Sequence, residues 1–585
     1  MKPKDVYHSA GRLWIVTAFL LISQLVSAQL FVDINAGLTG LTYSSAEWGD
    51  FDDDKDLDLL VAGIAANGTY RSIIYENENG IFTDIQAGLE GFQKGSVNWV
   101  DYDRDGDLDI LLAGESLASK TILYRNDDGQ FTDTEAGIDY FGAFGAGVWG
   151  DYDQDGDLDL FISGNWSSKI YRNDGGDVFT DIEAGIIPLS STRADWGDYD
   201  FDGDLDLIVA GDTGGGMIVF IMKNEEGDFQ QYDLSIQGLS AGSVEWGDYD
   251  NDGDADILIM GFDDYVEPHA EIYRNDGNGV YTSIFAGLAP VSMGRATWGD
   301  YENDGDLDVL ITGKISGCGT FTSAVYENLG GDIFTELTSS GLAPAQNSYA
   351  AWGDYDGDMD LDIVLLGDGN GNPFSKVYRN EGALPNSQPG HPENLAAQQS
   401  GNEILLTWDE ASDNETPSDA LSYNIRIGGA PGACDVLSPM AHVSDGFRKV
   451  VRKGNAGFDN SFRILDLDDG TYFWSVQTID NSFASSDFAP EQSFTVGLTG
   501  IESLASGKQP QIYPNPATDH IIFSAKDDQP VYKQYSLLNS LGREVMKGSL
   551  TGYGIIDVSE LQNGIYFLRI ADDRNVSVHD LIISR

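Results

Sequence analysis

At 585 residues the chain is too long for a single hydrophobic core and must divide into domains. Its 32 Lys and Arg stand against 96 Asp and Glu, a formal charge of −64, and that field repels nucleic acid and anionic lipid and makes both poor partners. The only cysteines, Cys318 and Cys434, fall in different predicted domains, which excludes a disulfide framework and predicts two free thiols.

The chain opens with Lys2, Lys4 and Arg12 ahead of the apolar run Leu13 to Leu25, and Val26-Ser27-Ala28 offers small residues for cleavage before Gln29. Residues 1–28 therefore read as a secretory signal peptide, since the apolar run is short for a span and no later segment is apolar enough to cross a bilayer.

From residue 29 to 383 one pattern repeats. Trp48, Trp99, Trp149, Trp196, Trp246, Trp298 and Trp352 each open a Trp-(Gly/Val)-Asp, at intervals near fifty residues. A period of that size marks a repeat architecture. Each tryptophan is expected in the core, and each leads into a nine-residue loop followed by an apolar run. A Tyr-(Arg/Glu)-Asn then recurs at Tyr75, Tyr124, Tyr171, Tyr273, Tyr326 and Tyr378, with Met222-Lys223-Asn224 as the degenerate copy. Phe-Thr-Asp-Ile, as at Phe82 and Phe179, closes the unit. About four short β-runs per repeat make a propeller blade. Phe31-Val32-Asp33-Ile34 is a spare closing unit before the first tryptophan, and none follows Asn380. Residues 30–34 are thus predicted to complete the seventh blade and hide two sheet edges.

The nine-residue loop carries acids at positions 1, 3, 5, 7 and 9. In Asp101-Tyr102-Asp103-Arg104-Asp105-Gly106-Asp107-Leu108-Asp109, carboxylates at 1, 3 and 5 can converge on one point. Gly at 6 permits the turn, position 7 can offer its carbonyl, and Asp at 9 closes the cage. Oxygen-only donors in flexible geometry suit Ca²⁺. An EF-hand needs Glu at position 12 between helices, whereas Leu112 stands there inside a strand-like run. Solvated acidic turns have no reason to repeat seven times in register.

The candidate ligands are Asp50, Asp52, Asp54 and Asp58 in the first loop and Asp101, Asp103, Asp105 and Asp109 in the second. Asp151, Asp153, Asp155 and Asp159 serve the third, and Asp198, Asp200, Asp202 and Asp206 the fourth. Asp248, Asp250, Asp252 and Asp256 serve the fifth, Asp300, Glu302, Asp304 and Asp308 the sixth, and Asp354, Asp356, Asp358 and Asp362 the seventh. Up to seven Ca²⁺ are expected. Lys55 and Met359 replace the glycine at position 6, so the first and seventh sites should be the weakest, which calorimetric titration would resolve.

These repeats, over residues 30–382, resemble the FG-GAP/VCBS family, whose calcium loops lie in seven-bladed propellers such as the integrin α-subunit head. The resemblance implies Ca²⁺ between the first and second strands and a role in adhesion or recognition. Loops on the opposite face vary most, among them Asn165-Trp166, Asp139-Tyr140-Phe141, Asp263-Asp264-Tyr265 and Ser316-Gly317-Cys318-Gly319-Thr320-Phe321. Variable loops on a rigid scaffold commonly bind partners, and exposed aromatics suit sugars or protein anchors. A histidine-based active site is not expected, because His269 has no second histidine in this region. The alternative is a calcium-dependent polysaccharide lyase or glycoside hydrolase built on the same scaffold, since acids are plentiful.

Residues 384–391 read as a Pro-rich linker, Pro385-Asn386-Ser387-Gln388-Pro389-Gly390-His391, running into Pro392. Beyond it, Ile404-Leu405-Leu406-Thr407-Trp408, Tyr423-Asn424-Ile425-Arg426-Ile427 and the run from Gly470 to Asp480 alternate as β-sandwich strands. Residues 392–497 resemble a fibronectin type III domain, expected to act as a spacer. A second linker, 498–510, leads to residues 511–585, with Tyr513-Pro514-Asn515-Pro516-Ala517, Leu538-Asn539-Ser540-Leu541-Gly542-Arg543 and Gly564-Ile565-Tyr566-Phe567-Leu568-Arg569-Ile570. That segment reads as a small β-sandwich and resembles the type A C-terminal sorting domain of the type IX secretion system of Bacteroidetes. The resemblance implies export across the outer membrane by that machinery and display on, or release from, the cell surface.

The expected fold class is all-β: a seven-bladed β-propeller, a fibronectin III-like sandwich and a small C-terminal sandwich. The expected function is calcium-dependent adhesion or recognition of an extracellular glycan or protein.

Overall fold

A computed structural model describes residues 29–277, 279–315, 319–497, 511–513, 517–524, 532–539, 543–551, 554–571 and 576–584. The signal peptide at 1–28, the linker at 498–510, Ser316–Cys318 of one variable loop and part of the Tyr513–Pro516 motif lie outside the described residues. The described residues are almost wholly β, and none of their helices is long and apolar enough to cross a membrane.

The repeat folds as its pattern dictates. β1 (Phe31–Asp33) precedes β2 (Leu41–Gly49), β3 (Asp58–Ala65), β4 (Tyr70–Glu78) and β5 (Ile81–Asp84). β2 to β5 form an antiparallel meander in the form of a propeller blade. The run Leu59-Leu60-Val61-Ala62 is apolar throughout because β3 is buried on both faces. The same order returns as four-stranded antiparallel sheets in residues 92–133, 146–181, 190–233, 240–283 and 291–336. Residues 346–380 supply three further strands, and β1 pairs with the last, Phe31 opposite Asn380 and Asp33 opposite Tyr378.

The first strands of successive sheets pack side by side. β2 meets Phe92–Val100, followed by Ala146–Gly150, Ser190–Gly197, Ser240–Gly247, Val291–Gly299 and Gln346–Gly353, which returns to β2. The Trp-Gly pair is explained by this packing. A Cβ added to Gly49 would sit 2.5 Å from Trp99 Cδ1, and one on Gly353 would meet Trp48 at the same distance. The aromatic at loop position 2 completes the contact, with Phe51 stacked on Trp99 at 5.9 Å and Tyr249 on Trp298 at 6.2 Å.

Phe31 is fully buried, with ring centroids 5.9 Å from Tyr301 and 6.0 Å from Trp352. Deleting residues 29–36 removes this anchor and bares the edge of Pro373–Asn380. The loss of Phe31 alone is worth about 3–5 kcal/mol. A melting temperature unchanged by the deletion would show that β1 closes nothing.

The middle of the chain forms two three-stranded sheets, Ala396–Ser400, Glu403–Thr407 and Ser461–Leu465 in one, Ser422–Gly428, Gly470–Ile479 and Gln492–Val496 in the other. Trp408 meets Tyr423 at 5.6 Å and Trp474 at 6.4 Å. Residues 384–391 are hydrogen-bonded to distant parts of the chain on either side of them. Leu384 N donates to Glu302 O at 3.0 Å, Asn386 Nδ2 to Asp480 Oδ2 at 2.9 Å and Gly390 N to Ser412 O at 2.8 Å. The described residues through Phe494 form one compact unit.

Residues 495–585 form a second compact unit. Strands Gln511–Tyr513, His520–Ser524 and Gly554–Asp557 make one sheet, and Glu544–Thr551, Tyr532–Asn539, Gly564–Ala571 and Val576–Ile583 the other. Ile521, Leu537, Ile556, Leu568 and Leu581 form its core.

Candidate metal centres

Each acid loop is wound by local chemistry before any ion enters. Position 1 is the hub of the turn: Asp151 Oδ1 accepts from Asp155 N at 3.1 Å and its Oδ2 from Gly156 N at 3.0 Å. Position 5 braces the far side, Asp155 Oδ1 accepting from Asp157 N at 2.9 Å. Position 9 is pinned twice, Asp159 Oδ1 by Asn173 N at 2.8 Å and Oδ2 by Tyr152 N at 3.2 Å. The two sharpest points are left-handed. Arg104 at position 4 has φ 61° and Gly106 at position 6 has φ 99°, and Lys55 and Met359 are held at φ 73° and 68° without a glycine.

This winding brings positions 1, 3 and 9 together. In the sets Asp50, Asp52, Asp58; Asp101, Asp103, Asp109; Asp151, Asp153, Asp159; and Asp198, Asp200, Asp206, one carboxylate oxygen from each residue lies within 4.8 Å of the others. The fifth, sixth and seventh loops repeat the position 9 pinning, Asp256, Asp308 and Asp362 accepting from Asn275 N, Asn328 N and Asn380 N at 2.8 Å each. The position 5 residues Asp54, Asp105, Asp202, Asp252, Asp304 and Asp358 give one oxygen to the turn, as Asp155 does.

The electrostatics show how crowded the carboxylates are. Burial, with added repulsion from neighbouring aspartates, raises Asp58, Asp109 and Asp256 to about 9 and Asp206 to about 8. Burial likewise lifts Asp248, Asp300 and Asp354 to about 7 and Glu302 to about 8. Asp153 Oδ1, Asp250 Oδ1 and Glu302 Oε2, all at position 3, are buried with no hydrogen-bond partner. An all-oxygen donor set with unsatisfied buried carboxylate atoms fits a hard divalent cation such as Ca²⁺.

Three features of the site escaped the sequence reading. The asparagine of Tyr-X-Asn clamps loop to loop: Asn173 Nδ2 donates to Leu158 O of its own loop and, at 2.9 Å, to Tyr102 O of the preceding one. Asn77 does the same across the closure, reaching Tyr355 O at 2.9 Å. Position 4 reaches forward, Asn251 to Asp306 Oδ1 at 2.8 Å and Asn303 to Asp360 Oδ1 at 3.0 Å.

The third feature is the two-sheet unit, which sits on the loops. Asp50 N donates to Lys449 O at 2.9 Å, Leu465 N to Gln154 O at 2.8 Å and Asp300 N to Asn481 O at 3.2 Å. His442 Nε2 lies 2.7 Å from Asp50 Oδ2, and Ser438 Oγ donates to Asp101 Oδ2 at 2.5 Å. Lys449 pairs with Asp53 and donates to Gly106 O at 2.6 Å, joining the first loop to the second. Lys55 pairs with Asp445, and Arg452 with Glu47. The signal was present: Arg448, Lys449, Arg452 and Lys453 place four cations within six residues of a strongly acidic chain.

Residues 50–112, 101–162, 151–209 and 198–259 match the model of the FG-GAP-like repeat, and residues 511–584 match that of the secretion system C-terminal sorting domain. Among solved structures, the chain overlaps an Agrocybe aegerita lectin studied for specific recognition of non-reducing terminal N-acetylglucosamine. Identity is 17%, covering 61% of this chain and 95% of that one, with a TM-score of 0.33. It overlaps AofleA from Arthrobotrys oligospora at 14% identity over 52% of this chain and 88% of that one, TM-score 0.31. The FN1–FN3 domains of chicken CNTN1 overlap at 11% identity over 50% and 99%, TM-score 0.16. Overlaps this loose carry no functional argument. No curated protein matches the chain significantly. The chain thus carries FG-GAP-like repeats on its acid loops and ends in a type IX secretion sorting domain, which directs it across the outer membrane to the cell surface or beyond.

Proposed function

We propose that the chain is a calcium-braced recognition module of the cell exterior: a seven-bladed propeller capped on its acid-loop face by a fibronectin III-like sandwich. The closed succession of first strands supports the blade count, and the meeting of Trp408, Tyr423 and Trp474 supports the sandwich. The observation that carries the reading is the convergence of positions 1, 3 and 9 in register, repeated from loop to loop. The sandwich occupies the acid-loop face, so calcium acts as a structural brace and ligand recognition falls to the opposite face. There Tyr265 is 85% and Trp166 48% exposed, whereas Phe141 is buried and packs in the core.

A glycan array probed with the mature chain, with and without chelator, tests this. Binding without turnover supports a recognition module. New reducing ends or unsaturated products from a bound glycan would shift the reading to a calcium-dependent carbohydrate-active enzyme. Absence of any glycan or protein ligand would leave an inert surface component.

A further inference from the structure

The first strands of the ring surround a cavity of about 720 Å³, which the two-sheet unit lines at the acid-loop end through residues such as Arg452, Lys453, Phe458 and Arg463. Its walls are built in tiers, counted from the end away from the acid loops. The outermost tier is set by a backbone device the loops do not need. Near its start each wall strand carries a left-handed residue that is not glycine, and Tyr43, Lys94, Phe144, Ala241, Met293 and Asn347, with φ between 46° and 60°, line the cavity. A register shift accompanies it, as between Gln93 and Ser96 or Ser292 and Arg295. Non-glycine residues held in this region mark functional positions more often than chance.

The tiers differ in charge. The outermost tier and the next, two residues further along each strand, hold Lys94, Arg193 and Arg295 and no acid. Glu47, Asp195 and Glu245 lie one tier deeper, towards the loops. Arg295 is satisfied, donating to Glu245 Oε1 from Nε at 3.0 Å and from Nη2 at 2.7 Å. Lys94 pairs with Glu115 at 3.1 Å. Arg193 is different. Its Nη1 donates to Thr192 O at 2.6 Å and Gly145 O at 3.4 Å, and among the described residues no carboxylate forms an ion pair with it. The ionisable groups that act on it are the Tyr349 phenol, which is neutral, and the second cation Arg295. A guanidinium set inside a cavity without a counter-ion is a ready partner for a carboxylate supplied from outside.

The rest of the wall describes the remainder of the ligand. Tyr43 and Phe144 flank Lys94, their ring centroids 5.2 and 5.5 Å from its Nζ, and present aromatic surface at the opening. Asn98 Oδ1 is buried without a partner on the same wall, and Ser96 and Asn347 add a hydroxyl and an amide group. Flat apolar faces beside many small polar groups suit a sugar ring better than an alkyl chain. We infer that this cavity is the recognition site of the ring and takes an acidic oligosaccharide, its carboxylate on Arg193 and its sugar faces against Tyr43 and Phe144. The inference rests on the recognition reading above and names its ligand class.

The test is calorimetric titration of the full mature chain in excess Ca²⁺. The probes are trimers of galacturonate, of guluronate and of mannuronate and a glucuronate-containing trisaccharide, against maltotriose as the neutral control. At least one acidic probe is expected to bind and maltotriose not to. Arg193→Gln should weaken that binding at least tenfold and Arg193→Lys restore part of it. Ala241→Trp, which narrows the opening without touching Arg193, should weaken it as well, and melting curves confirm that each variant folds. The inference is overturned if no acidic probe binds, or if R193Q and A241W bind as tightly as the parent, as they would were the sugar held by loop calcium. Neutral-glycan binding that is insensitive to R193Q would overturn this inference and leave the recognition reading standing.

Discussion

Removal of divalent metal is expected to cost the ring more stability than any single substitution. Two carboxylates about 4 Å apart repel by about 4 kcal/mol at an effective dielectric near 20. Each of the first four loops gathers three such groups within 4.8 Å of one another. With free Ca²⁺ tenfold above Kd, a site gains about 1.4 kcal/mol. Seven sites would supply about 10 kcal/mol, the size of an ordinary domain's net stability. Melting the mature chain in metal-stripped buffer and in millimolar Ca²⁺ should therefore give widely separated transitions. The pH dependence sharpens the test. Asp58, Asp109 and Asp256 rise to about 9 through burial, so the metal-free folded state holds protons that the unfolded chain has released. Stability without metal must then fall as pH rises from the unfolded carboxyl range towards 9, and it recovers on acidification. With Ca²⁺ present the ion takes the place of those protons, and acidification expels it. The melting temperature should thus rise from pH 8 to pH 5 in stripped buffer and stay level or fall in calcium. Parallel slopes in the two buffers would refute metal ligation at these loops.

What the sequence made legible was local. The acid loop could be read from nine residues because its turn hydrogen bonds span two to seven positions, as from Asp155 N to Asp151 and from Tyr152 N to Asp159. The tryptophan repeat announced the sheets, and the spare Phe31 unit announced its pairing with Asn380. The long-range contacts were not legible. Asn77 looks like a strand terminus until Tyr355 O, 278 positions away, is seen to accept from it. The glycine after each tryptophan looks like turn chemistry until the neighbouring indole is found against it. Val100 stands at that position in the second copy, and the structure offers no reason for the exception. The docking of the two-sheet unit is not legible, because composition alone makes the Pro-rich segment a linker. The cations at 448–453 carried the opposite message, since a basic cluster in so acidic a chain has an acidic surface to meet within the same molecule.

That cluster supports the second large expectation: the ring and the two-sheet unit should melt as one body while the cluster is intact and as two once it is removed. Lys449 ties Asp53 to Gly106 O, and Arg452 reaches Glu47 and, at 3.3 Å, Trp99 O. Lys453 Nζ donates to Trp246 O at 2.9 Å. The three side chains thus bridge the first, second and fifth sheets. Charge-assisted hydrogen bonds contribute about 1.5–3 kcal/mol each where they are shielded from water. Arg452 and the Asp53 partner of Lys449 keep partial solvent contact, so the lower end of that range applies. A Lys449→Ala, Arg452→Ala, Lys453→Ala triple variant should therefore lose about 4–5 kcal/mol of coupling. In calcium it should show two calorimetric transitions where the parent shows one. Backbone amides at the seam, Asp50, Asp300 and Leu465, should lose protection from hydrogen exchange, whereas those inside β3 keep theirs. The effect also runs in reverse. In metal-stripped buffer each loop loses the ion's two positive charges and recovers only part of them as a proton on its position 9 aspartate. The basic cluster should then hold the more negative loops more tightly relative to the weakened ring. The variant should therefore lose more stability without calcium than with it. A single unshifted transition in both buffers would mean that the two-sheet unit is a passive neighbour, held by chain connectivity rather than by its cations.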